Sequence, residues 1–531
     1  MAVSRREVLR LAGMLGLLPF APTLVACGDG GGGGGGDGLP QYEYDGALGP
    51  EDLFRHGVAS GDPLADAVIL WTRVTPDAAA ALEVFWEVAR DVEFTDRVGA
   101  GWTTTDAERD FTVKLDVGGL AAGTTYHYRF RALGRGSLVG RTRTAPQGSP
   151  ERLRFAVASC SNYAHGYFHA YRRIAERADL DAVIHLGDYI YEYGDGGYGD
   201  QRALDPPTEI VTLDDYRRRY AHYRADPDLQ AAHQQHPFIT VWDDHESAND
   251  SWRGGAENHQ PSEGDWALRR AIAERVYAEW MPIRALDGGR IWRALRFGDL
   301  VDIVMLDTRL WGRDPQPPGA NDASIFATDR TLLGADQEAW LLDQLRGSRA
   351  RWRVLGQQVM LGQLKAQGLP NSEGGGVFLN GDQWDGYQAA RARLLAALRD
   401  EALDNVVVLT GDIHTSWAID LCEDPNNPQA YNPLTGAGAL AVEFVTPGVT
   451  SPGVPGGNAA LLPIAYAQNP HIKFGELEQR GYLVLDVTPQ RAQAAWFHLD
   501  DVTQPTTAER FAAAYAVYDG AAHVVSEAEP A

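Results

Sequence analysis

Cysteine is nearly absent from this chain: three in 531 residues, at Cys27, Cys160 and Cys422. That count excludes a disulfide-stapled scaffold and leaves each thiol to be explained singly. Basic residues are also scarce, 47 Lys and Arg against 72 Asp and Glu, for a net charge of −25 and a pI near 4.9. A surface of that sign repels polyanions at long range, so no stable nucleic-acid partner is expected. The leading apolar stretch, residues 9–25, is broken by Pro19 and Pro22. It is too short for a spanning helix, which needs about 20 apolar residues. What is present suffices for a large core: 44 % of residues are apolar and 10 % aromatic. Disorder, coiled coil and collagen are excluded on composition. At roughly 100–200 residues per domain, one large domain and a smaller one are expected.

Residues 1–38 read as an address. Ser4-Arg5-Arg6-Glu7-Val8-Leu9 places two arginines before the apolar stretch, the pattern of a twin-arginine export signal. Val8 stands where that motif prefers Phe, so the general secretory route stays open. Leu24-Val25-Ala26-Cys27 resembles the lipobox of bacterial lipoproteins, in which Cys27 is lipidated and becomes the mature N-terminus. Residues 28–38 contain only Gly and Asp, a flexible tether. The expectation is a protein handled by the twin-arginine machinery, periplasmic or at the cell surface, and attached to the membrane through Cys27. An ordinary cleaved signal with an incidental cysteine is the alternative, since one acyl chain anchors weakly.

Residues 39–148 hold short β-rich runs, among them Val68-Ile69-Leu70-Trp71-Thr72-Arg73-Val74 and Leu82-Glu83-Val84-Phe85-Trp86-Glu87-Val88, punctuated by Gly, Asp and Pro. They predict a small N-terminal β-sandwich of immunoglobulin or fibronectin-III-like type. Leu120 followed by Gly123-Thr124-Thr125-Tyr126-His127-Tyr128 resembles the tyrosine-corner region of such modules. From residue 149 to 505 the rhythm becomes strand, loop, helix, strand, an α/β pattern whose apolar strands end in polar residues. The tail, 506–531, contains a helix candidate from Ala508 to Tyr515 that could lie over the active site.

The chemistry gathers at four strand ends. These are Cys160; Gly187-Asp188-Tyr189-Ile190-Tyr191; Trp242-Asp243-Asp244-His245-Glu246-Ser247-Ala248-Asn249; and Gly411-Asp412-Ile413-His414. One such carboxylate pair would be a solvated loop start. Four ends with oxygen, nitrogen and sulfur donors point to metal: Asp and Asn oxygens suit a hard cation, whereas thiolate, phenolate and imidazole suit a transition metal.

With these motifs, residues 54–500 resemble the PhoD-like alkaline phosphatases and phosphodiesterases of the calcineurin-like metallophosphoesterase superfamily. Further matching segments are Phe54-Arg55-His56-Gly57-Val58-Ala59-Ser60-Gly61-Asp62-Pro63, Leu306-Asp307-Thr308-Arg309 and Trp384-Asp385-Gly386-Tyr387. Departures are small: Ser161 follows the cysteine where Gln is frequent, and Ile413 and Thr415 replace Val and Ala. The resemblance implies a two-sheet metallophosphoesterase sandwich flanked by helices. It also implies Fe³⁺ held by Cys160, Asp188, Tyr191 and His414, with Asp188 bridging to a Ca²⁺ ligated by Asp244 and Asp412. Asn249 would serve a second Ca²⁺, and His245 would meet a phosphate oxygen or the leaving group. Asp243 remains an alternative to Asp244.

The implied activity is hydrolysis of phosphodiesters, with phosphomonoesters secondary, by attack of a metal-activated water or oxo group. An extracellular nuclease on the same site and a non-catalytic metal-binding surface lipoprotein are the rival readings. Cys422, eight residues past His414 on an extended strand, falls outside the site. His185 reads as a hydrogen-bonded core histidine, and the pair His233 and His236 as packing. Tyr189 would share a face with Tyr191 if the segment stayed extended, so the choice of Tyr191 rests on the resemblance.

Overall fold

The computed structural model describes residues 23–26, 38–284 and 287–531. Arg5, Arg6, Cys27 and residues 28–37 of the tether lie outside them. No helix among the described residues is long and apolar enough to cross a membrane.

Two large sheets face one another. The first has eleven strands in the spatial order Thr23–Ala26, Thr112–Gly118, Ala67–Arg73, Val58–Gly61, Pro237–Thr240, Ala182–His185, Leu153–Ala158, Arg480–Val487, Arg491–Leu499, Glu509–Tyr518 and Val525–Glu527. The second has seven: Arg293–Phe297, Val301–Met305, Trp352–Gly356, Val406–Thr410, Ala441–Val445, Ser416–Leu421 and Ile472–Glu476. Within each, the central strands run parallel. They read as unbroken apolar runs because both faces are covered, as parallel strands require.

Between the sheets, Phe155, Val157 and Ile184 of the first pack with Ile303, Val354, Val407 and Phe444 of the second. Trp496 crosses the gap and donates its indole N–H to the Val445 carbonyl at 2.9 Å. Helices Leu213–Arg224 and Trp266–Trp280 cover the outer face of the first sheet through Tyr216, Tyr220, Val276 and Tyr277. Ala335–Gly347 and Gln388–Asp400 cover the second through Leu341, Leu345, Leu394 and Leu398.

The N-terminal strands do pack as two layers. Val68, Leu70, Val113 and Leu115 face Val84, Trp86, Tyr126 and Tyr128 of a smaller sheet. The Tyr126 hydroxyl accepts the Ala121 N–H at 2.8 Å. These layers are not free-standing, however. Val58–Gly61 pairs in parallel with Pro237–Thr240, Ser60 opposite Pro237, so one layer is an extension of the large sheet. Asp62, just past that strand, binds buried Arg293 and the Arg284 N–H.

The tail departs from its sequence expectation. Residues 508–515 form no helix over the cleft; Glu509–Tyr518 is a strand antiparallel to Arg491–Leu499. Ala-rich sequence favours helix in isolation, but an open sheet edge with Trp496 and Phe474 to pack against decides the conformation of Tyr515 and its neighbours.

Candidate metal centre and active site

The parallel strands deliver their C-terminal ends to one place. Leu153–Ala158 leads to Cys160, Ala182–His185 to Asp188, Pro237–Thr240 to Asp243 and Asp244, and Val406–Thr410 to Asp412 and His414. At each end the chain turns sharply: Cys160, Asp188, Asp412 and His414 all adopt left-handed backbone conformations, with φ between 55° and 61°. Such conformations cost of order 1–3 kcal/mol each in non-glycine residues and persist only where the surroundings impose them. Gly187 and Gly411 make room, since a Cβ would strike the Asp243 backbone at the first and Ser159 at the second.

Ligand-capable atoms of Cys160, Asp188 and His414 lie within 4.8 Å of one another, as do those of Asp188, Asp244 and His245 and those of Asp243, Asp244 and Asp412. Tyr191 joins the first group, its hydroxyl 3.1 Å from Asp188 Oδ2 and 3.2 Å from His414 Nε2. Ser451 steadies that phenol at 2.6 Å and also donates to the Cys160 carbonyl. Asp188, Asp244, His245, Asn249, Asp412 and His414 line a cleft of about 310 Å³, closed on one side by Tyr193 and Tyr198. Asn249 stands on the wall, its amide donating to Glu257 at 3.2 Å. Tyr189 turns away and bonds His233 at 2.9 Å. Asp243 faces Arg309 behind the cleft, whereas Asp244 lines it.

His185 is a core histidine, bonded to Tyr171 at 2.8 Å and to the Gly187 N–H. Cys422 is buried at the end of Ser416–Leu421, with Arg391 on its carbonyl.

The charges ask for a cation. Burial, and then Asp188, push the Cys160 thiol well up; burial and Asp188 do the same to the Tyr191 phenol. Burial holds Asp188 well above the carboxylate range and Asp412 at about 7. His414 is pushed down to about 3 by burial, so its imidazole is neutral and able to ligate. Burial also acts on Asp244, but Arg309 and His245 overcome it and leave that group at about 2. A bound cation inverts the protonated members of this set, deprotonating a coordinating thiol outright. The donors therefore fit a metal centre, and one oxygen of Asp243, Oδ2, is buried with no hydrogen-bond partner. Sulfur, phenol and imidazole on one side and carboxylates on the other match two unlike ions.

Several site residues carried no role in the sequence. Glu192, wholly buried, accepts from His245 Nδ1 at 2.7 Å and from the Asn249 N–H at 2.7 Å. Glu246 gathers three backbone N–H groups, of Asp188, Tyr189 and Asp243, tying two strand ends together. Arg309 is wholly buried among Asp243, Asp244, Asp382 and Asp412. Arg309 follows a strand end like the others, so the same rule could have found it; Asp382 sits in a loop with no such signal.

Comparison with known proteins shows the family of the chain. The family description "PhoD-like phosphatase" matches residues 155–496, and "PhoD-like phosphatase, N-terminal domain" matches residues 45–146. Alkaline phosphatase D of Bacillus subtilis (strain 168) is 38 % identical over 479 residues, covering 86 % of this chain and 79 % of the relative. A solved structure described as "Structure of PhoD" superposes with a TM-score of 0.82 at 34 % identity, covering 92 % of this chain and 94 % of its own. The class that these likenesses define is that of the phosphoric ester hydrolases. More narrowly, the chain belongs to the PhoD-like phosphatase family.

Proposed function

We propose that this phosphoesterase is metal-dependent, with Fe³⁺ at Cys160, Asp188, Tyr191 and His414, and Ca²⁺ at Asp188, Asp244 and Asp412, with Asn249 available to a second Ca²⁺. The observation that carries the reading is the Tyr191 hydroxyl, bonded to both Asp188 and His414 beside the Cys160 thiol. Phosphodiesters are the favoured substrates and phosphomonoesters secondary ones. Bound there, the two ions supply Lewis-acid polarisation of a phosphoryl oxygen and the charge that activates the attacking water.

The chain's own residues do the remainder. His245 commits Nδ1 to Glu192 and lines the cleft, which leaves Nε2 for a substrate oxygen. Burial opposes its charge, but Glu192, Asp188 and Asp244 hold it protonated well above the usual imidazole range. It is thus equipped to give its proton to the departing alkoxide. Tyr193 and Tyr198 narrow the cleft and limit water.

Export by the twin-arginine route and attachment through a lipidated Cys27 belong to the same proposal, supported by Arg5-Arg6 and Leu24-Val25-Ala26-Cys27. The test of the activity is hydrolysis of bis-p-nitrophenyl phosphate beside p-nitrophenyl phosphate at alkaline pH, with Ca²⁺ and then with a chelator. Chelator-sensitive turnover favouring the diester supports the reading. Turnover of the monoester alone moves the function to a phosphomonoesterase.

A further inference from the structure

Of the three groups of ligand-capable side chains, one already contains a cation. Asp243, Asp244 and Asp412 bring oxygens within 4.8 Å of one another. The guanidinium of Arg309 meets all three: Nε on Asp243 Oδ1 at 2.5 Å, Nη2 on Asp412 Oδ1 at 2.6 Å, and Nη2 again 3.6 Å from Asp244 Oδ1. Its remaining nitrogen holds Asp382 Oδ2 at 2.7 Å. The side chain has no exposure to solvent.

Carboxylates this close cannot all ionise without positive charge between them. An arginine supplies that charge permanently, since it does not lose its proton in proteins. Arg309 is also fixed from behind. Asp307 Oδ1 accepts its backbone N–H and that of Leu310, both at 2.8 Å, and Gln358 anchors Thr308 at 2.6 Å. One oxygen of the group stays uncovered: Asp243 Oδ2 is buried and has no hydrogen-bond partner.

We propose that the Arg309 guanidinium is the resident cation of a third cation position, occupying the hollow between Asp243, Asp244 and Asp412 and so limiting how many divalent ions the cleft takes. The inference rests on the metal-centre reading above. Arg309 is then a positioning residue: it draws Oδ1 of Asp412 inward and leaves the other oxygen of Asp412, with Asp188 and Asp244, to the Ca²⁺ of the cleft.

The test compares the metal content of the wild type, R309Q, R309K and R309A after equilibrium dialysis against the same free Ca²⁺, read by elemental mass spectrometry and by Ca²⁺ titration calorimetry. R309Q is expected to hold one more Ca²⁺ per chain than the wild type. R309K, which restores a positive charge, is expected to return to the wild-type count. In R309A the extra Ca²⁺ is expected to be displaced by millimolar guanidinium, well below denaturing concentrations. An unchanged count in folded R309Q, or a count raised equally in R309K, overturns the proposal, and should R309Q not fold, the guanidinium competition in R309A decides alone. A wild type that binds no metal overturns the metal-centre reading instead, and the two failures are read from different samples.

Discussion

Glu192 and His245 meet at 2.7 Å in the floor of the cleft, the carboxylate wholly buried and the imidazole nearly so. The carboxylate fixes which ring nitrogen carries the bound proton and which one faces the substrate. Glu192→Gln keeps the shape and loses the charge. It is expected to lower kcat about a hundredfold, the low end of the range that positioned acid catalysis contributes, while KM changes little. Steady-state kinetics on an aryl phosphodiester check this; an equal rise in KM with kcat intact would assign Glu192 to substrate binding.

Tyr191 offers a spectroscopic test of the metal assignment. If its phenolate binds ferric iron, the purified protein is coloured by a phenolate-to-iron charge-transfer band, and Tyr191→Phe abolishes the band. A colourless, fully active wild type would remove iron from the proposal. Asp188→Asn is expected to lose both metal and turnover, measured by metal analysis beside the assay, because Asp188 belongs to two of the three ligand groups.

Arg219 is a structural counterpart to Arg309. Wholly buried, it donates to the carbonyls of Tyr191, Tyr193, Pro206 and Thr208, and so pins the segment that carries the aromatic wall of the cleft. Arg219→Met strands these carbonyls and is expected to cost about 3 kcal/mol or more, read as a lowered Tm. A loss below about 1 kcal/mol would show that water replaces the guanidinium.

Lys114 carries a pH dependence remote from the site. It is buried on strand Thr112–Gly118, with its ammonium donating to the Ala278 carbonyl. Burial, against the pull of Asp62 and Glu279, holds it at about 7. Its unfolded value is near 10.4, so between these two pH values the unfolded chain binds more protons and stability rises with pH. Below about 7 the folded protein carries the buried charge at full cost. Relative to the wild type, Lys114→Met is therefore expected to have its most favourable Tm difference near pH 6 and a less favourable one toward pH 10. A difference that does not vary with pH would contradict the assignment.

The strands around the cleft were legible because each is a short apolar run that ends in a polar residue. Cys160, Asp188 and His414 were legible as candidates for the same reason, unusual donor types at three such ends, whereas only the family resemblance set Tyr191 apart from Tyr189. Glu192 and Asp382 were not legible, because their partners lie 53 and 73 positions away and only folding brings them together, while Arg309 was within reach of the strand-end rule. Asp243 and Asp244 are neighbours in sequence and differ only in which side of the cleft wall they face. The tail failed for a different reason: an open sheet edge with aromatic side chains to pack against overrides the helix propensity of its alanines.

The pairing of Ser60 with Pro237 has a consequence for how this molecule must be made. A parallel contact between segments so distant in the chain is slow to form, because loop closure is paid for before the contact is gained. Until Val58–Gly61 arrives, Pro237–Thr240 presents a naked row of N–H and C=O groups, a template for any passing strand. The first 148 residues therefore act as a cap that the nascent protein carries ahead of the surface it must protect. A chain begun after residue 148 is expected to self-associate through that edge before it can assemble a cleft.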